Sequence, residues 1–308
     1  MRFHFLLSAL LALTVTTSAD DELQVRRLRA AVTNHHEGDV AGRSSNSRLM
    51  PGGAGAAWSL SRSRRRSGGR IISGADATDG QFPWQAAIRL DRFGFCGGSL
   101  ISDSAVLTAA HCVDGVTTFV VTLGTVLVTG DAKDVTVTTT SAAWHPDYWT
   151  DEKTADNDIG VVLLGQSVSF TDYIQALRLP SSSQADLTYE GEVVTVSGWG
   201  ITSDDSSTVS TTLKYVDMVV ISNSECSELY PGAIDDDVIC ALGNPDGSPC
   251  SGDSGGALVY KASDGVWTQV GIVSFGSDTG CENSYPEVFT KVSHYLDWIS
   301  ENAGVTVS

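Results

Sequence analysis

A glycine-rich pentapeptide near the end of the chain carries the strongest chemical signal in the sequence. Residues 252–256 read Gly-Asp-Ser-Gly-Gly. A nucleophilic serine needs an exposed hydroxyl and nearby backbone N–H groups that stabilise an oxyanion. Flanking glycines allow the backbone angles and the close approach to a substrate that such a site requires. The pattern predicts that Ser254 is a nucleophile, although an ordinary glycine-rich turn could have the same composition.

Two further residues could complete a nucleophilic site. His111 is the fifth residue of the hexapeptide Leu-Thr-Ala-Ala-His-Cys at 107–112. It lies at the end of a predicted strand and beside a cysteine whose disulfide would fix the loop. Asp158 directly precedes an apolar run, where a carboxylate can be desolvated and can orient an imidazole. A histidine alone is more often structural, and an aspartate often only begins a strand or a turn. The prediction of a Ser-His-Asp site therefore depends on all three segments together.

Short strands are the elements that must position these residues. After residue 71, Val and Thr are abundant, and Gly, Asp and Ser fill the breaks between apolar runs. Many short strands at this spacing predict an all-β barrel or sandwich. Only residues 292–303 have helical spacing of apolar side chains. The predicted strands cover residues 84–90, 99–107, 119–128, 135–139, 159–164, 193–199, 213–220, 256–260, 266–275 and 287–291.

The charge distribution divides the chain. Residues 20–70 hold ten Arg and five acidic residues, whereas residues 71–308 hold eight Lys or Arg and 32 acidic residues. The basic segment has too few bulky apolar side chains to offset its ordering entropy, which predicts a disordered pro-segment. Its basic run at 61–70 could tether nucleic acid or membrane, but its position directly before Ile71 favours cleavage by trypsin-like or furin-like proteases. The acidic segment would repel phosphates, so we expect no nucleic-acid binding.

The N-terminus has the pattern of a secretory signal peptide. Arg2 precedes an apolar run at residues 5–15, and small residues follow at 17–19. The run is shorter than the roughly 20 apolar residues that a membrane anchor needs. We therefore expect a secreted chain with a signal peptide at 1–19, a pro-segment at 20–70 and one domain at 71–308.

The cysteine pattern favours disulfides over a metal centre. An even number of cysteines in an exported chain predicts disulfides, although 15 connectivities are possible. No Cys-x-x-Cys pair occurs, and only His111 lies beside a cysteine. We predict no cofactor and no obligate metal, while Asp131 and Asp134 leave calcium binding open. All six cysteines lie in the acidic segment: Cys96, Cys112, Cys226, Cys240, Cys250 and Cys281.

Taken together, the three segments resemble the chymotrypsin family of serine proteases, in the same chain order of His, Asp and Ser. The resemblance extends over residues 71–308 and includes four further segments. The tract 274–287 looks most like the brachyurins, the crustacean and insect digestive chymotrypsins and collagenolytic proteases. The resemblance implies two antiparallel six-stranded β-barrels and a C-terminal helix, with the active site between the barrels. The further segments are Ile-Ile-Ser-Gly at 71–74, Cys-Gly-Gly-Ser at 96–99, Ser-Gly-Trp-Gly at 197–200 and Ser-Phe-Gly at 274–276.

The resemblance also implies residue roles. Ser254 would attack the peptide carbonyl, His111 would move the proton, and Asp158 would orient the imidazole. The N–H groups of Gly252 and Ser254 would form the oxyanion hole. The implied disulfides are Cys96–Cys112, Cys226–Cys240 and Cys250–Cys281.

Activation is implied in the same way. Cleavage after Arg70 would create an α-amino group on Ile71, and its ammonium would pair with Asp253. The mature start, Ile-Ile-Ser-Gly, departs from the commoner Ile-Val-Gly-Gly, but both are compatible with a buried first isoleucine.

Substrate preference is the least determined property. By alignment, Ser248 is the base of the specificity pocket, so the acid that makes a trypsin is absent. The backbone of residues 274–276 would bind the substrate chain; Gly276 also lines the pocket, and Phe275 replaces the Trp of many members. Glu287 falls on the opposite wall, where its carboxylate points either into the pocket or to solvent. We expect Leu, Phe and Tyr to be cleaved best, and Arg or Lys measurably.

These inferences predict a secreted, monomeric digestive endopeptidase that acts on proteins or peptides and contacts neither membrane nor nucleic acid. A trypsin-like protease would activate it, and protein inhibitors could bind it. A trypsin-like or elastase-like preference is the alternative. A cascade protease with a clip domain is disfavoured, because residues 20–70 contain no cysteine. A non-catalytic homologue would be expected to lack a triad residue, and this chain lacks none.

Overall fold

The computed structural model describes residues 74–91, 94–151, 154–243 and 247–307. The predicted signal peptide and pro-segment, together with Arg70 and Ile71, lie outside these residues. Within the described ranges, no helix is long and apolar enough to cross a membrane.

The described residues form sixteen strands, two α-helices and three short 3₁₀ helices. The strands are β1 (Ala75–Asp76), β2 (Gln85–Leu90), β3 (Gly94–Leu100), β4 (Ala105–Thr108), β5 (Phe119–Leu123), β6 (Val135–Thr139), β7 (Ala142–Trp144), β8 (Trp149–Thr150), β9 (Ala155–Asp156), β10 (Gly160–Leu163), β11 (Val193–Gly198), β12 (Lys214–Ile221), β13 (Val238–Gly243), β14 (Ala257–Lys261), β15 (Trp267–Phe275) and β16 (Glu287–Lys291). The α-helices are α1 (Asn223–Leu229) and α2 (Leu296–Ala303), and the 3₁₀ helices are Ala110–Cys112, Ser182–Gln184 and Val292–Tyr295.

The second half of the chain forms a closed barrel. Its strands pair in the order β12, β11, β14, β15, β16 and β13, and β13 pairs back with β12. Alternate residues of each strand face the interior; Val194 and Val196 of β11, for example, pack against Met218 of β12. Period-two alternation is the pattern of a sheet with one buried face. This confirms the predicted six-stranded barrel for this half.

The first half is a curled sheet in the order β6, β5, β2, β3, β4, β10 and β7. Among the described residues no ladder joins β6 directly to β7, so the two edges of this curled sheet are linked by the chain itself and not by a further ladder. Only Thr140 and Ser141 separate the two edge strands. Strands β6 and β7 are therefore parts of one bent strand, which pairs first with β5 and then with β10. At the bend, Thr139 Oγ1 donates to the Leu163 carbonyl at 2.8 Å, and the Leu163 N–H donates to the Ser141 carbonyl at 2.9 Å.

Element boundaries show where local patterns were incomplete. The strand predicted at 99–107 is two strands, because a turn after Leu100 reverses the chain before Ala105. The predicted C-terminal helix at 292–303 begins as a 3₁₀ helix and continues as α2. Strand β13 and helix α1 were not predicted.

The three disulfides pair as the resemblance implied: Cys96–Cys112, Cys226–Cys240 and Cys250–Cys281. The first ties the turn after β4 to β3. The third joins the segment before Ser254 to the loop before β16. Because a disulfide sulfur is not a thiolate, these cysteines do not supply metal ligands beside His111.

Two buried hydrogen bonds join the two sheets. Ser99 Oγ, on β3, donates to Gln269 Oε1, on β15, at 2.7 Å. In the opposite sense, Ser197 Oγ, on β11, donates to Gln85 Oε1, on β2, at 2.6 Å. All four side chains are buried. The pairs fix how the sheets face each other, and therefore the cleft between them.

We predict that Ser99→Ala lowers the free energy of unfolding by about 1–3 kcal/mol, because it leaves the buried Gln269 oxygen without a donor. Urea unfolding monitored by fluorescence measures this. The control is Ser167→Ala, an exposed serine, for which a change within about 0.5 kcal/mol is expected. Equal effects of the two substitutions would show that the inter-sheet bond contributes nothing.

Candidate active site

His111 is held against Asp158 by both its backbone and its ring. It lies in the 3₁₀ helix Ala110–Cys112 that follows β4, where the Cys96–Cys112 disulfide anchors the turn. The His111 N–H donates to Asp158 Oδ1 at 3.0 Å, and His111 Nδ1 lies 2.8 Å from Asp158 Oδ2. An imidazole held in this way keeps Nε2 free to exchange a proton.

Asp158 is 1% exposed and lies two residues before β10. Ser274 Oγ, from the second barrel, donates to Asp158 Oδ2 at 2.6 Å, and Thr290 Oγ1 donates to the Asp158 carbonyl at 2.8 Å. Sequence reasoning missed both hydroxyls, because their partners lie more than a hundred residues away along the chain. The two sheets therefore share one carboxylate.

Each member of this pair shifts the pKa of the other. Burial alone would lower the pKa of His111, but the adjacent Asp158 carboxylate raises it by more, so it lies above its ordinary value. Burial alone would raise the pKa of Asp158. The charge and hydrogen bonds of His111, with the Ser274 hydroxyl, hold that pKa below its ordinary range. The aspartate therefore stays ionised where the imidazole titrates.

The backbone around Ser254 packs tightly on the first sheet, which carries His111 and Asp158. The Gly97 N–H donates to the Ser254 carbonyl at 2.8 Å. The next residue, Gly255, lies so close to β4 that an added Cβ would sit 2.1 Å from Thr108 Oγ1 and 3.1 Å from the Ala109 nitrogen. Glycine is required here by contact as well as by backbone angle. The Ser254 hydroxyl makes no hydrogen bond with another described residue.

The turn around Asp253 leaves two N–H groups open. The Asp253 carboxylate is fully buried and accepts N–H bonds from Gly200 at 2.7 Å and Cys250 at 2.9 Å. With this side chain turned inward, the N–H groups of Gly252 and Ser254 donate to no acceptor in the described part of the chain. Burial raises the pKa of Asp253 to about 6, although both N–H bonds favour the carboxylate.

A cavity of about 180 Å³ opens beside Ser254. Its walls are the end of β15, the loop before β16 and the segment before Ser254. No Lys, Arg or His is among the described residues that line it. They are Pro249, Cys250, Ser251, Ser254, Val273, Ser274, Phe275, Gly276, Ser277, Gly280, Cys281 and Glu287.

Glu287 turns its carboxylate into this cavity. The residue begins β16 and is 8% exposed. Its Oε2 lies against Gly276, where an added Cβ would be only 2.2 Å away, so a larger residue at 276 would displace the acid. Ser248, the predicted base of the pocket, contacts Glu287 but does not itself line the cavity.

The Ser248 hydroxyl has two acceptors for one hydrogen. Its Oγ lies 2.6 Å from Glu287 Oε1 and 2.9 Å from the Pro249 carbonyl oxygen. Both contacts are satisfied when Glu287 is protonated and donates to Ser248, which then donates to Pro249. Burial raises the pKa of Glu287 to about 7; the Ser248 bond lowers it and the Asp253 charge raises it. Both protonation states are therefore accessible near neutral pH.

Asp131 and Asp134, which left calcium binding open, are engaged inside their own loop. The Lys133 ammonium lies 3.6 Å from Asp131 Oδ2 and also pairs with Asp79. Asp134 Oδ2 accepts the Asp131 N–H at 2.7 Å. Lys133 thus compensates the charge of Asp131, and Asp134 is engaged by a backbone N–H of the same loop.

Comparison with known proteins agrees with this geometry. The trypsin family model matches residues 71–299. The chain is 39% identical over 237 residues to a brachyurin of Leptuca pugilator, covering 77% of this chain and 100% of that protein. It is also 39% identical to a collagenase of Hypoderma lineatum, covering 77% of this chain and 88% of the relative. A solved HL collagenase structure superposes with a TM-score of 0.68 at 37% identity, covering 76% of this chain and 99% of that one.

Both the family match and these identities span most of the chain. Such a family acts on protein substrates, and the resemblance inferred from the motifs is confirmed. The chain belongs to the trypsin family of serine endopeptidases.

Proposed function

We propose that this protein is a secreted digestive endopeptidase, made as a zymogen, that hydrolyses peptide bonds through Ser254, His111 and Asp158. One observation carries the proposal: Ser274 donates to the ionised Asp158 of the Asp158–His111 pair and lines the same cavity as Ser254, whose hydroxyl and neighbouring N–H groups have no partner among the described residues. A non-catalytic homologue would have no need to keep these groups open.

The chemistry follows from these positions. Ser254 Oγ attacks the peptide carbonyl while His111 Nε2 takes its proton and then delivers it to the leaving amine. Asp158 stabilises the imidazolium that forms. The N–H groups of Gly252 and Ser254 receive the negative charge of the carbonyl oxygen. Water then repeats the sequence on the acyl-enzyme and regenerates Ser254.

Activation by cleavage after Arg70 is supported by the state of Asp253. A fully buried carboxylate without a cation is costly, and no cation contacts Asp253 within the described ranges. A new α-ammonium on Ile71 would supply that cation. Pairing would then hold the turn that keeps the Gly252 and Ser254 N–H groups open.

The distribution of basic residues supports selective cleavage by a trypsin-like activator. Ten arginines lie in residues 20–70, against eight Lys or Arg in the whole domain. Six Lys and Arg residues of the domain are described, and each lies in a strand or forms an ion pair. Those in strands are Arg89, Lys214, Lys261 and Lys291, and those in ion pairs are Lys133, Arg178 and Lys214. The activator would therefore find more of its basic sites in the pro-segment than in the domain.

Substrate preference is proposed to be broad because Glu287 can change its charge. Neutral Glu287 leaves a cavity without a formal charge among its described lining residues, which suits Leu, Phe or Tyr by burial of apolar surface. Ionised Glu287 offers a desolvated partner for Arg or Lys. We further propose a monomer that protein inhibitors of such enzymes can bind, and that contacts neither membrane nor nucleic acid.

The triad is tested by Ser254→Ala in the activated enzyme, which should lower peptide hydrolysis by roughly 10⁶-fold. The matched control is Ser251→Ala, a serine three residues earlier that also lines the cavity; we expect it to retain most activity. Rates are measured with a chromogenic peptide amide. Comparable hydrolysis by the Ser254→Ala protein would exclude this serine as the nucleophile.

Activation is tested by Arg70→Gln. Trypsin treatment should activate the wild-type precursor and give an N-terminal sequence of Ile-Ile-Ser-Gly, but should leave Arg70→Gln inactive. Arg66→Gln, in the same basic run, should activate normally. In the cleaved enzyme Asp253→Asn should lose most activity, since breaking a buried ion pair costs about 3–5 kcal/mol. Full activity of the uncleaved chain would rule out a zymogen.

The charge state of Glu287 predicts a pH-dependent preference. With a pKa raised by burial to about 7, Glu287 passes from largely neutral to largely ionised as the pH rises through neutrality. The kcat/KM for an Arg substrate relative to a Leu substrate should therefore rise by roughly tenfold or more between pH 5.5 and pH 8.5, because kcat/KM reports the free enzyme. Titration of His111 changes kcat/KM for both substrates by the same factor, so it does not change their ratio.

The control variants are Glu287→Gln and Glu287→Ala. Both should keep cleavage after Leu, lose most cleavage after Arg, and give a ratio that does not change with pH. If Glu287→Ala cleaves after Arg as well as the wild type does, the acid does not contact the substrate. If the wild type cleaves only after Arg and Lys, the trypsin-like alternative is correct.

A further inference from the structure

The loop between β11 and β12 is hydrogen-bonded to one wall of the cavity. Asp204 Oδ1 accepts the Cys281 N–H at 2.7 Å, and its Oδ2 accepts the Glu282 N–H at 3.0 Å. Glu282 Oε2 in turn accepts the Asp204 N–H at 3.2 Å. Hydrogen bonds to a carboxylate are about twice as strong as neutral ones. Three of them therefore join loops that are nearly eighty residues apart.

The wall is shaped to receive this carboxylate. Two successive backbone N–H groups converge on it, which is the geometry of a backbone anion-binding concavity. Gly280, just before them, has φ +106°, and an added Cβ would lie 2.4 Å from Asp204 Oδ2. Gly280 and Cys281 line the cavity, whereas Asp204 and Glu282 do not. Asp204 therefore supports the wall from the side that does not face the cavity.

The start of the same loop is hydrogen-bonded to the segment that carries the proposed nucleophile. Close to Asp204, the Ile201 N–H donates to the Ser251 carbonyl at 2.8 Å, and the Gly200 N–H donates to Asp253 Oδ1 at 2.7 Å. The Cys250–Cys281 disulfide fixes a single residue of the wall. A single covalent point leaves the adjoining peptide planes free to rotate, whereas the carboxylate orients two of them together.

We propose that Asp204 is a positioning residue, which holds the 277–282 wall in the shape that receives a large substrate side chain. The inference rests on the proposed endopeptidase activity, in which this cavity takes the side chain before the cleaved bond. Without the carboxylate, the wall loses its orientation and a Phe or Arg side chain loses contacts. An Ala side chain is too short to reach the wall and should not respond.

The test uses the activated full chain and three peptide amides that differ only in having Phe, Arg or Ala before the cleaved bond. Asp204→Ala should raise KM about tenfold for the Phe and Arg substrates, the effect of losing charge-assisted bonds, with kcat within about twofold. The Ala substrate should be unaffected. Asp204→Asn, which keeps one carbonyl acceptor, should give an intermediate KM.

Asp205→Ala is the matched control. Asp205 is the next residue, carries the same charge and is exposed, and it makes no hydrogen bond within the described ranges. It should behave as wild type on all three substrates. An unchanged KM for Phe in Asp204→Ala, or an equal loss on all three substrates, would overturn the positioning role. A wild-type enzyme that cleaves none of them would overturn the proposed activity itself, and the positioning role with it.

Discussion

The free energy of burying charge organises the cleft between the two barrels. A buried carboxylate is costly unless cations or hydrogen-bond donors compensate it. Asp158 meets this requirement with groups from both sheets: the ring and backbone of His111 on one side, and the Ser274 hydroxyl on the other. The same contacts orient the imidazole. The requirements of a stable buried charge and of a proton-transfer pair are therefore satisfied by one set of bonds.

The other two buried acids of the cleft are compensated less completely, and this is where the proposed regulation and selectivity arise. Asp253 has two backbone N–H bonds and a pKa near 6, so a cation supplied by chain cleavage would stabilise it. Glu287 has one hydroxyl and a pKa near 7, so either a proton or a substrate cation can satisfy it. The charge of Asp158 is compensated by fixed groups of the protein, whereas the charges of Asp253 and Glu287 depend on whether a cation or a proton binds.

Much of this arrangement was predictable because the proposed reacting residues lie in segments with local constraints. Glycines around Ser254, a cysteine beside His111 and an apolar strand after Asp158 can all be read from short windows. Helix α1 was missed although its capping box is visible, with Ser222 accepting the Glu225 N–H. Strand β13 was missed because its residues Val238–Leu242 are all buried, which removes the alternation that marks a strand with one buried face.

Properties that depend on distant partners were not readable from the sequence. Whether Glu287 faces the cavity depends on the space left by Gly276, and the role of Asp204 depends on two amides in another loop. The pKa of Glu287 likewise depends on Asp253, a residue far from it in the sequence. The charge of Asp253 raises the pKa of Glu287, so an ammonium paired with Asp253 would lower it, although burial would still hold it above its ordinary value. Cleavage after Arg70 would then order the catalytic turn and also favour the ionised pocket, so that acceptance of basic side chains would increase with activation.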